Sequence, residues 1–594
     1  MIRALSHRGP DDTGFYEDAG IGLANARLKI VDLEGGHQPL CGEDSRVWVT
    51  FNGEIFNYKD ERPSLERKGH VFATNVDTEV LVHLYEEYGI EMVNRLNGMF
   101  AFGLWDSTTE QLFLARDYAG MKPLYYTFPA EGTLAFASEI KSLLMCRDRV
   151  EPNLESFPDF LTLGYVPSNE TMFKGIAKLR PGQLLAVNRD GAKLVTYHRF
   201  SARIDSISSD ESAETRVSHE LERAVEDWLM SDVPVGAYLS GGVDSSVIAT
   251  LTARKMNSRL RTYTAWFGPE YPHELREAEV VASHLSAEHT PVLVASDEVL
   301  RVLENVAWAY DEPLADAAVL PTYFVSKAAR RDVKVVIAGE GGDELFGGYP
   351  WHWLFKYIGS LYASGNNNAQ WRGPQLRGHL LAKGASLGFP GRPIAQRYLE
   401  FIAIFSSQEV RRLLGAVKNG SAFRVFSSFL DSEEGSNLSR MLVCDAMTRL
   451  PESYLMKADK GSMANSVEER APYLDKHLMK LAFAIPDHLK ISLQHNKIIL
   501  RKAAVSLIPK SSVVRRKRGY GVPVRGWILG EIGDYLLNLI EASDLIKTTL
   551  EPERVSMVSA KRSSRPYQFW LLGSLALWDR FVLSRSSPAG RTNG

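Results

Sequence analysis

The chain has 594 residues, enough for three or four domain-sized units with cores of their own. Hydrophobic residues make up 45% and charged residues 24%, which excludes a disordered chain and a fibre. A formal net charge of -3 gives no general electrostatic reason to bind nucleic acid or an anionic membrane, so small polar or charged molecules are the expected partners.

Cys41, Cys146 and Cys444 lie far apart, with no CxxC and no Cys/His cluster. They suggest neither a disulfide framework nor a zinc site, and a reducing cytoplasm fits them. The start, "MIRALSHRGPDD", has no apolar run of signal-peptide length, and "FWLLGSLALW" (569–578) is too short to span a bilayer. A cytoplasmic protein is expected.

Residues 1–200 carry short β-like runs separated by Gly, Asn and Asp: "IGLANARLKIV" (21–31), "RVWVTFNG" (46–53), "GMFAFGLWD" (98–106), "QLFLARD" (111–117) and "GTLAFASE" (132–139). One helix interrupts them over 77–89, where Val80, Leu81, Leu84, Tyr85 and Tyr88 form a stripe at 3.6 spacing, Asp77 is the expected N-cap and Gly89 the terminator. This half reads as α+β with a mainly antiparallel sheet. The polar stretch 201–216, "SARIDSISSDESAETR", reads as a linker, and the next domain is expected over 217–585, opening with a helix at 217–230.

From there strands and helices alternate: "VPVGAYL", then a helix over 243–255; "RTYTAWF" (261–267), then "EAEVVASHLS" (277–286); "TPVLV", then 297–309; and "DVKVVIAG" (332–339) after a helix at 321–330. Alternation of this kind predicts a doubly wound parallel sheet with helices on both faces. Helices are expected to dominate from 395 onward, and 586–594 to be a loose tail.

The stretch "YLSGGVDSSV" (238–247) ends a strand in Ser-Gly-Gly and runs into a helix. Unpaired backbone N–H groups and the positive end of the helix dipole then meet at one point, which will accept phosphate. Gly241 and Gly242 let the backbone approach the ligand, and Ser240, Ser245 and Ser246 add hydroxyl donors. Asp244 is repulsive beside phosphate unless a cation lies between them, and Mg2+ would resolve that. The pattern lacks the GK[ST] ending of a Walker A loop and the GxGxxG of a dinucleotide fold.

"SGGVDSS" resembles the pyrophosphate loop of the ATP pyrophosphatases, which cleave ATP between the α and β phosphates. "AGEGGDELFGGY" (338–349) resembles the matching motif of the asparagine synthetase family. That resemblance implies that Glu340 lines an acyl-adenylate pocket, that Asp343 joins Asp244 as a Mg2+ ligand, and that Leu239, Phe267, Ala338 and Gly339 hold the adenosine part of ATP. "YLMKADKGSMANSVEERAPYLD" (454–475), "NKIILRKAA" and "VVRRKRGYGVP" (513–523) resemble later segments of the same family. Lys517 aligns with a family lysine, where a cation beside phosphate would stabilise the transition state. Arg515, Arg516, Lys517 and Arg518 also admit reading as a nucleic-acid patch, for which four charges in a balanced chain are weak evidence.

The front half resembles the class II glutamine amidotransferase domain, an N-terminal-nucleophile (αββα) fold, through "SHRGPDDTG" (6–14), "ARLKIVD" (26–32), "FNGEIFNY" (51–58), "VDTEV" (76–80), "NGMFAFGLWD" and "ARDYAGMKPLYY" (115–126). The resemblance implies that Arg27 pairs with the glutamine α-carboxylate and Asp77 with its ammonium, that Asn52 and Gly53 supply oxyanion donors, and that Glu54 lies in the same site. The family's nucleophile is an N-terminal cysteine whose α-amine acts as base, whereas this chain begins Met1-Ile2. As written it is not expected to hydrolyse glutamine. Two explanations stay open: a start upstream, or a truncation that uses free ammonia. The first is favoured because loss of initial strands would expose a sheet edge.

Together these features imply an ATP-dependent, AMP-forming amide ligase that converts aspartate to asparagine with ammonia from glutamine or from solution. The alternatives are a β-lactam-forming enzyme or an amidotransferase acting on a sugar or secondary-metabolite carboxylate, since the acceptor pocket is not legible from spacing. A non-catalytic relic is a third reading, opposed by Asp244, Asp343 and Lys517. A homodimer is among the assemblies the sequence admits.

Overall fold

The computed structural model describes residues 1–18, 20–202, 210–271, 273–313, 315–363, 393–415, 420–431, 434–515 and 521–584. Lys517, the expected tail at 586–594 and positions 203–209 of the expected linker lie outside the described residues.

Among the described residues the first half contains eleven strands: β1 (Asp12–Asp18), β2 (Ile21–Arg27), β3 (Leu40–Cys41), β4 (Val47–Ile55), β5 (Gly98–Asp106), β6 (Gln111–Arg116), β7 (Tyr125–Ala130), β8 (Thr133–Ala137), β9 (Ile176–Lys178), β10 (Gln183–Asn188) and β11 (Gly191–Thr196). They form antiparallel sheets ordered β11-β10-β6-β5-β4-β3, β8-β7-β9 and β1-β2. Along β5 the period of two sorts the side chains: Phe100, Phe102 and Leu104 pack with Val80, Leu81 and Leu84 of the helix Glu79–Tyr88, whereas Ala101 turns to Leu23, Leu124 and Leu179 on the opposite face. Beyond that second layer, Tyr125 of β7 packs with Ile140 and Leu143 of the helix Ile140–Leu144. The helix, sheet, sheet, helix order is the one the sequence implied.

The second half is built on a parallel sheet of β12 (Val235–Tyr238), β13 (Arg261–Trp266), β14 (Glu288–Leu293), β15 (Val335–Ile337) and β16 (Glu468–Arg470), ordered β14-β13-β12-β15-β16. Both faces are covered, because Val335 and Ile337 join one core with Val243, Val247 and Leu251, while Val336 joins another with Val319, Phe324 and Val325. Successive strands step from β12 to one side as β13 and β14, then to the other as β15 and β16. The carboxyl ends of β12 and β15 therefore flank a topological switch point, where open α/β sheets bind ligands. Among the described residues no helix is long and apolar enough to cross a membrane.

Three local expectations are corrected. The helix expected from 217 is already formed at Asp210, inside the stretch read as a linker, because Ala213 extends the buried stripe of Val217, Leu221, Ala224, Val225 and Trp228. Asp77 does not cap its helix: Thr78 precedes Glu79–Tyr88, and the Asp77 carboxylate instead accepts the Ile55 N–H at 2.6 Å. Strand β16 falls in the C-terminal region expected to be helical, where its three charged residues gave no apolar signal.

Candidate functional site

The loop after β12 turns through Gly241, whose φ of 69° is one that side chains rarely adopt. A Cβ there would come within 2.5 Å of the Glu277 backbone. The loop feeds the helix Val243–Lys255, so the free N–H groups of that helix point at the switch point. Ser245 Oγ receives the Ser240 N–H at 3.2 Å and lies 3.0 Å from Ser240 Oγ, which holds the turn closed on itself. The loop after β15 presses against this one: a Cβ at Gly339 would lie 2.9 Å from the Ser245 nitrogen.

Between the two loops opens a cavity of about 720 Å³, a size that suits a nucleotide with a second small substrate. Leu239, Ser240, Gly242, Asp244, Ser245, Ala338, Gly339, Glu340 and Asp343 line it. Gly241 and Phe267 do not line it; Phe267 packs edge-on against Trp527 at 6.0 Å. Ser246 is buried beneath the loop and its hydroxyl has no hydrogen-bond partner among the described residues.

Sequence reasoning missed the cation at the centre of this cavity. The Lys497 ammonium donates to both Asp244 oxygens, at 2.6 and 2.5 Å, and also meets Asp343 Oδ1. Two carboxylates carried by separate loops thus converge on one positive charge. The segment "NKIILRKAA" resembles a family segment, but nothing in it reveals that Lys497 adopts φ 53° and is buried. Lys457 and Glu469 were missed as well. Lys457 Nζ lies 3.8 Å from Glu340 Oε1. Burial pulls the Lys457 ammonium down, but Glu340, Asp316 and Glu469 outweigh it and hold the charge above the usual lysine range. Burial, reinforced by Glu340, drives the Glu469 carboxyl far above the carboxylate range.

A second cavity, of about 320 Å³, lies in the antiparallel half, and Arg27, Asn52, Gly53, Glu54 and Asp77 all line it. Arg27 is oriented by donating to the Val31 and Asp32 carbonyls, each at 2.9 Å, and to Gly35 O. Asn52 Nδ2 donates to Ser138 Oγ at 3.3 Å. Gly53 has φ 141°, and a side chain there would run into the Met99 carbonyl. Burial lifts Asp77 to about 6 against the Ile55 N–H and the Arg470 charge, and burial with the neighbouring Asp77 lifts Glu54 well above the carboxylate range.

Strand β16 is the wall between the cavities. Glu469 faces the larger one, while Glu468 on the opposite side lines the smaller. Arg470 Nη2 reaches Glu54 Oε1 at 3.1 Å, and its Nε donates to Glu468 at 2.9 Å. Arg8 and Lys122 extend the buried network, Arg8 to Asp459 at 2.8 Å and Lys122 to Glu468 at 3.3 Å.

Comparison with known proteins matches two families to the chain. The asparagine synthase family matches residues 216–580, and the glutamine amidotransferase domain family matches residues 1–198. The chain is 35% identical to asparagine synthetase [glutamine-hydrolyzing] 1 of Bacillus subtilis over 562 residues, covering 91% of this chain and 86% of that protein. It is 31% identical to asparagine synthetase [glutamine-hydrolyzing] 2 of the same organism, covering 88% and 69%, and 35% identical to a rice protein of that name over 59% and 56%.

Proposed function

The chain belongs to the glutamine-hydrolysing asparagine synthetase family, and from that premise we propose that it activates aspartate with ATP, releasing pyrophosphate, and converts the activated acid to asparagine. Membership makes it an ATP-dependent amide ligase; the acceptor and the nitrogen source are our reading. We take residues 1–200 as the amidotransferase domain and 217–585 as the synthetase domain.

The observation that carries the proposal is the meeting of Asp244 and Asp343 on one ammonium at the switch point of the parallel sheet. Hard carboxylate donors that already share a single cation suit Mg2+. Asp244 and Asp343 are the residues that would hold it, and there it would neutralise charge on the β- and γ-phosphates. The N–H groups opening the helix Val243–Lys255, with Ser240 and Ser245, bind the pyrophosphate portion. Leu239, Ala338 and Gly339, which line the cavity, hold the adenosine. Glu340, beside Lys457, lines the pocket of the acid.

The β-carboxylate oxygen of aspartate attacks the α-phosphorus, the bond to pyrophosphate breaks, and an acyl-adenylate forms. Lys517 stabilises the charge that develops on phosphorus. Ammonia then adds to the acyl carbon and AMP departs, a far better leaving group than oxide. In the smaller cavity Arg27 receives the glutamine α-carboxylate and Asp77 its ammonium, Glu54 lies in the same site, and Asn52 and Gly53 are the donors that an oxyanion would meet there once a nucleophile had added to the carboxamide.

Pyrophosphate release, measured with ATP, ammonia and aspartate against a panel of other carboxylic acids, tests the reading. The expected result is pyrophosphate, AMP and amide in equal amounts with aspartate, and a loss of about 10²–10³-fold in Asp244→Asn. Release with another acid alone would transfer the assignment to that acid. Release with none would end the proposal.

A further inference from the structure

On the helix-covered face of the amidotransferase half, away from both cavities, two imidazoles and four carboxylates are drawn together. Glu43 comes from the turn between β3 and β4, His70 from the segment after the helix Tyr58–Arg67, and His83 and Glu86 from the helix Glu79–Tyr88. One ligand atom from each of these four lies within 4.8 Å of the others. None of the four lines either cavity.

Three of the spacings are close to those of a coordination shell. His83 Nδ1 lies 3.0 Å from a Glu86 oxygen and 3.6 Å from a Glu43 oxygen, and His70 Nδ1 lies 3.2 Å from the same Glu86 oxygen. In a tetrahedron with metal–ligand bonds of about 2.0–2.1 Å, neighbouring ligand atoms stand about 3.3–3.5 Å apart. The surroundings match as well. Each imidazole turns its other nitrogen to a further carboxylate: His70 Nε2 meets Glu87 at 3.1 Å, and His83 Nε2 faces Glu79 at 3.7 Å. Metal-bound histidines are oriented by such outer carboxylates. Those partners are themselves fixed, since Glu79 accepts the Ala73 and Thr74 N–H groups at 2.6 and 2.8 Å. Glu43 Oε1 accepts the Val71 N–H at 2.7 Å, which leaves its second oxygen for His83. A Cβ at Gly42 would stand 2.7 Å from Glu86 Oε1, so the glycine makes room for that carboxylate.

We propose that Glu43, His70, His83 and Glu86 form a closed structural site for one divalent transition-metal ion of the zinc class. Two imidazole ligands select that class over Mg2+ or Ca2+. Four side-chain ligands fill a tetrahedron and leave no position for substrate, so the role is structural. The ion ties the turn after β3 and the segment at His70 to the helix that follows Asp77.

The test uses the untagged full chain, stripped with a chelator and titrated calorimetrically with Zn2+, then with Co2+ for visible ligand-field bands. One equivalent should bind, raise the unfolding midpoint and give a tetrahedral Co2+ spectrum. His70→Asn and Glu86→Gln, both on the rim of the cluster, should weaken binding by about 100-fold or more, since removal of even an outer-shell partner costs about 10–100-fold. His83 is fully buried, so its substitution is not needed for the test. Asp244→Asn should keep the full equivalent. Failure to take up one equivalent, or uptake equal in His70→Asn and lost in Asp244→Asn, would overturn the proposal.

Discussion

Asp77 shows how one residue's environment becomes a measurable property. Its carboxyl is fully buried, and burial lifts it to about 6 although the Ile55 N–H and Arg470 both favour the charged form. In the unfolded chain the group ionises near pH 4. Between about pH 4 and pH 6 the unfolded chain is therefore ionised while the folded one keeps its proton, so stability falls as pH rises through that window. The proposed ligand ammonium reverses this penalty by pairing with the charged form. Glutamine binding should release close to one proton at pH 5 and almost none at pH 7.5, and should tighten as pH rises toward 6. Calorimetry in two buffers of different ionisation enthalpy measures the proton count, and Asp77→Asn should remove the pH dependence. A binding constant that stays flat across the window would mean that Asp77 does not meet the ammonium.

At the scale of one element, β16 does the most with the least sequence. Its three residues, Glu-Glu-Arg, add a fifth strand to the parallel sheet through register with Val335, Val336 and Ile337. Arg470 is fully buried, donates to the Trp228 and Met230 carbonyls and balances Glu54 and Glu468. Removing one member of a buried pair strands the other charge, at a cost of about 3–5 kcal/mol. Arg470→Met should therefore lower the unfolding midpoint sharply, and adding Glu54→Gln should restore part of the loss. A double variant no more stable than the single one would show that charge balance is not the source. This element also marks the limit of the sequence reading. The strand-helix unit at 235–255 was legible because an apolar run, two glycines and a helix start obey local rules. A strand of charged residues obeys none; its burial depends on partners such as Lys122 and Glu54, hundreds of positions away. Lys497 was hidden for the same reason, since its partners Asp244 and Asp343 lie on other loops. The helical stretch from Asp210 to Arg216 was missed by a different route: its Ser, Asp and Glu resemble linker composition, and buried Ala213 tells them apart.

Across the whole molecule, the two cavities share a wall but, among the described residues, no lining side chain. Glu469 turns to one and Glu468 to the other, and the charges behind them are cross-tied by Arg470, Lys122 and Arg8. A wall of paired charges is stiff, because moving any one group leaves another buried without its counter-ion. Stiffness permits the halves to be altered separately. Arg27 lies at the smaller cavity, is held by the Val31, Asp32 and Gly35 carbonyls, and meets the Arg470 network only through the charges of Glu54 and Asp77. Arg27→Ala should abolish calorimetric binding of glutamine, since a carboxylate loses its bidentate partner, yet leave the rate of ammonia-supported pyrophosphate release within about two-fold of the parent. Measuring both on the same preparation separates the halves. If the ammonia-supported rate fell in step with glutamine binding, the wall at β16 would be transmitting the change, and the two sites would have to be treated as one coupled unit.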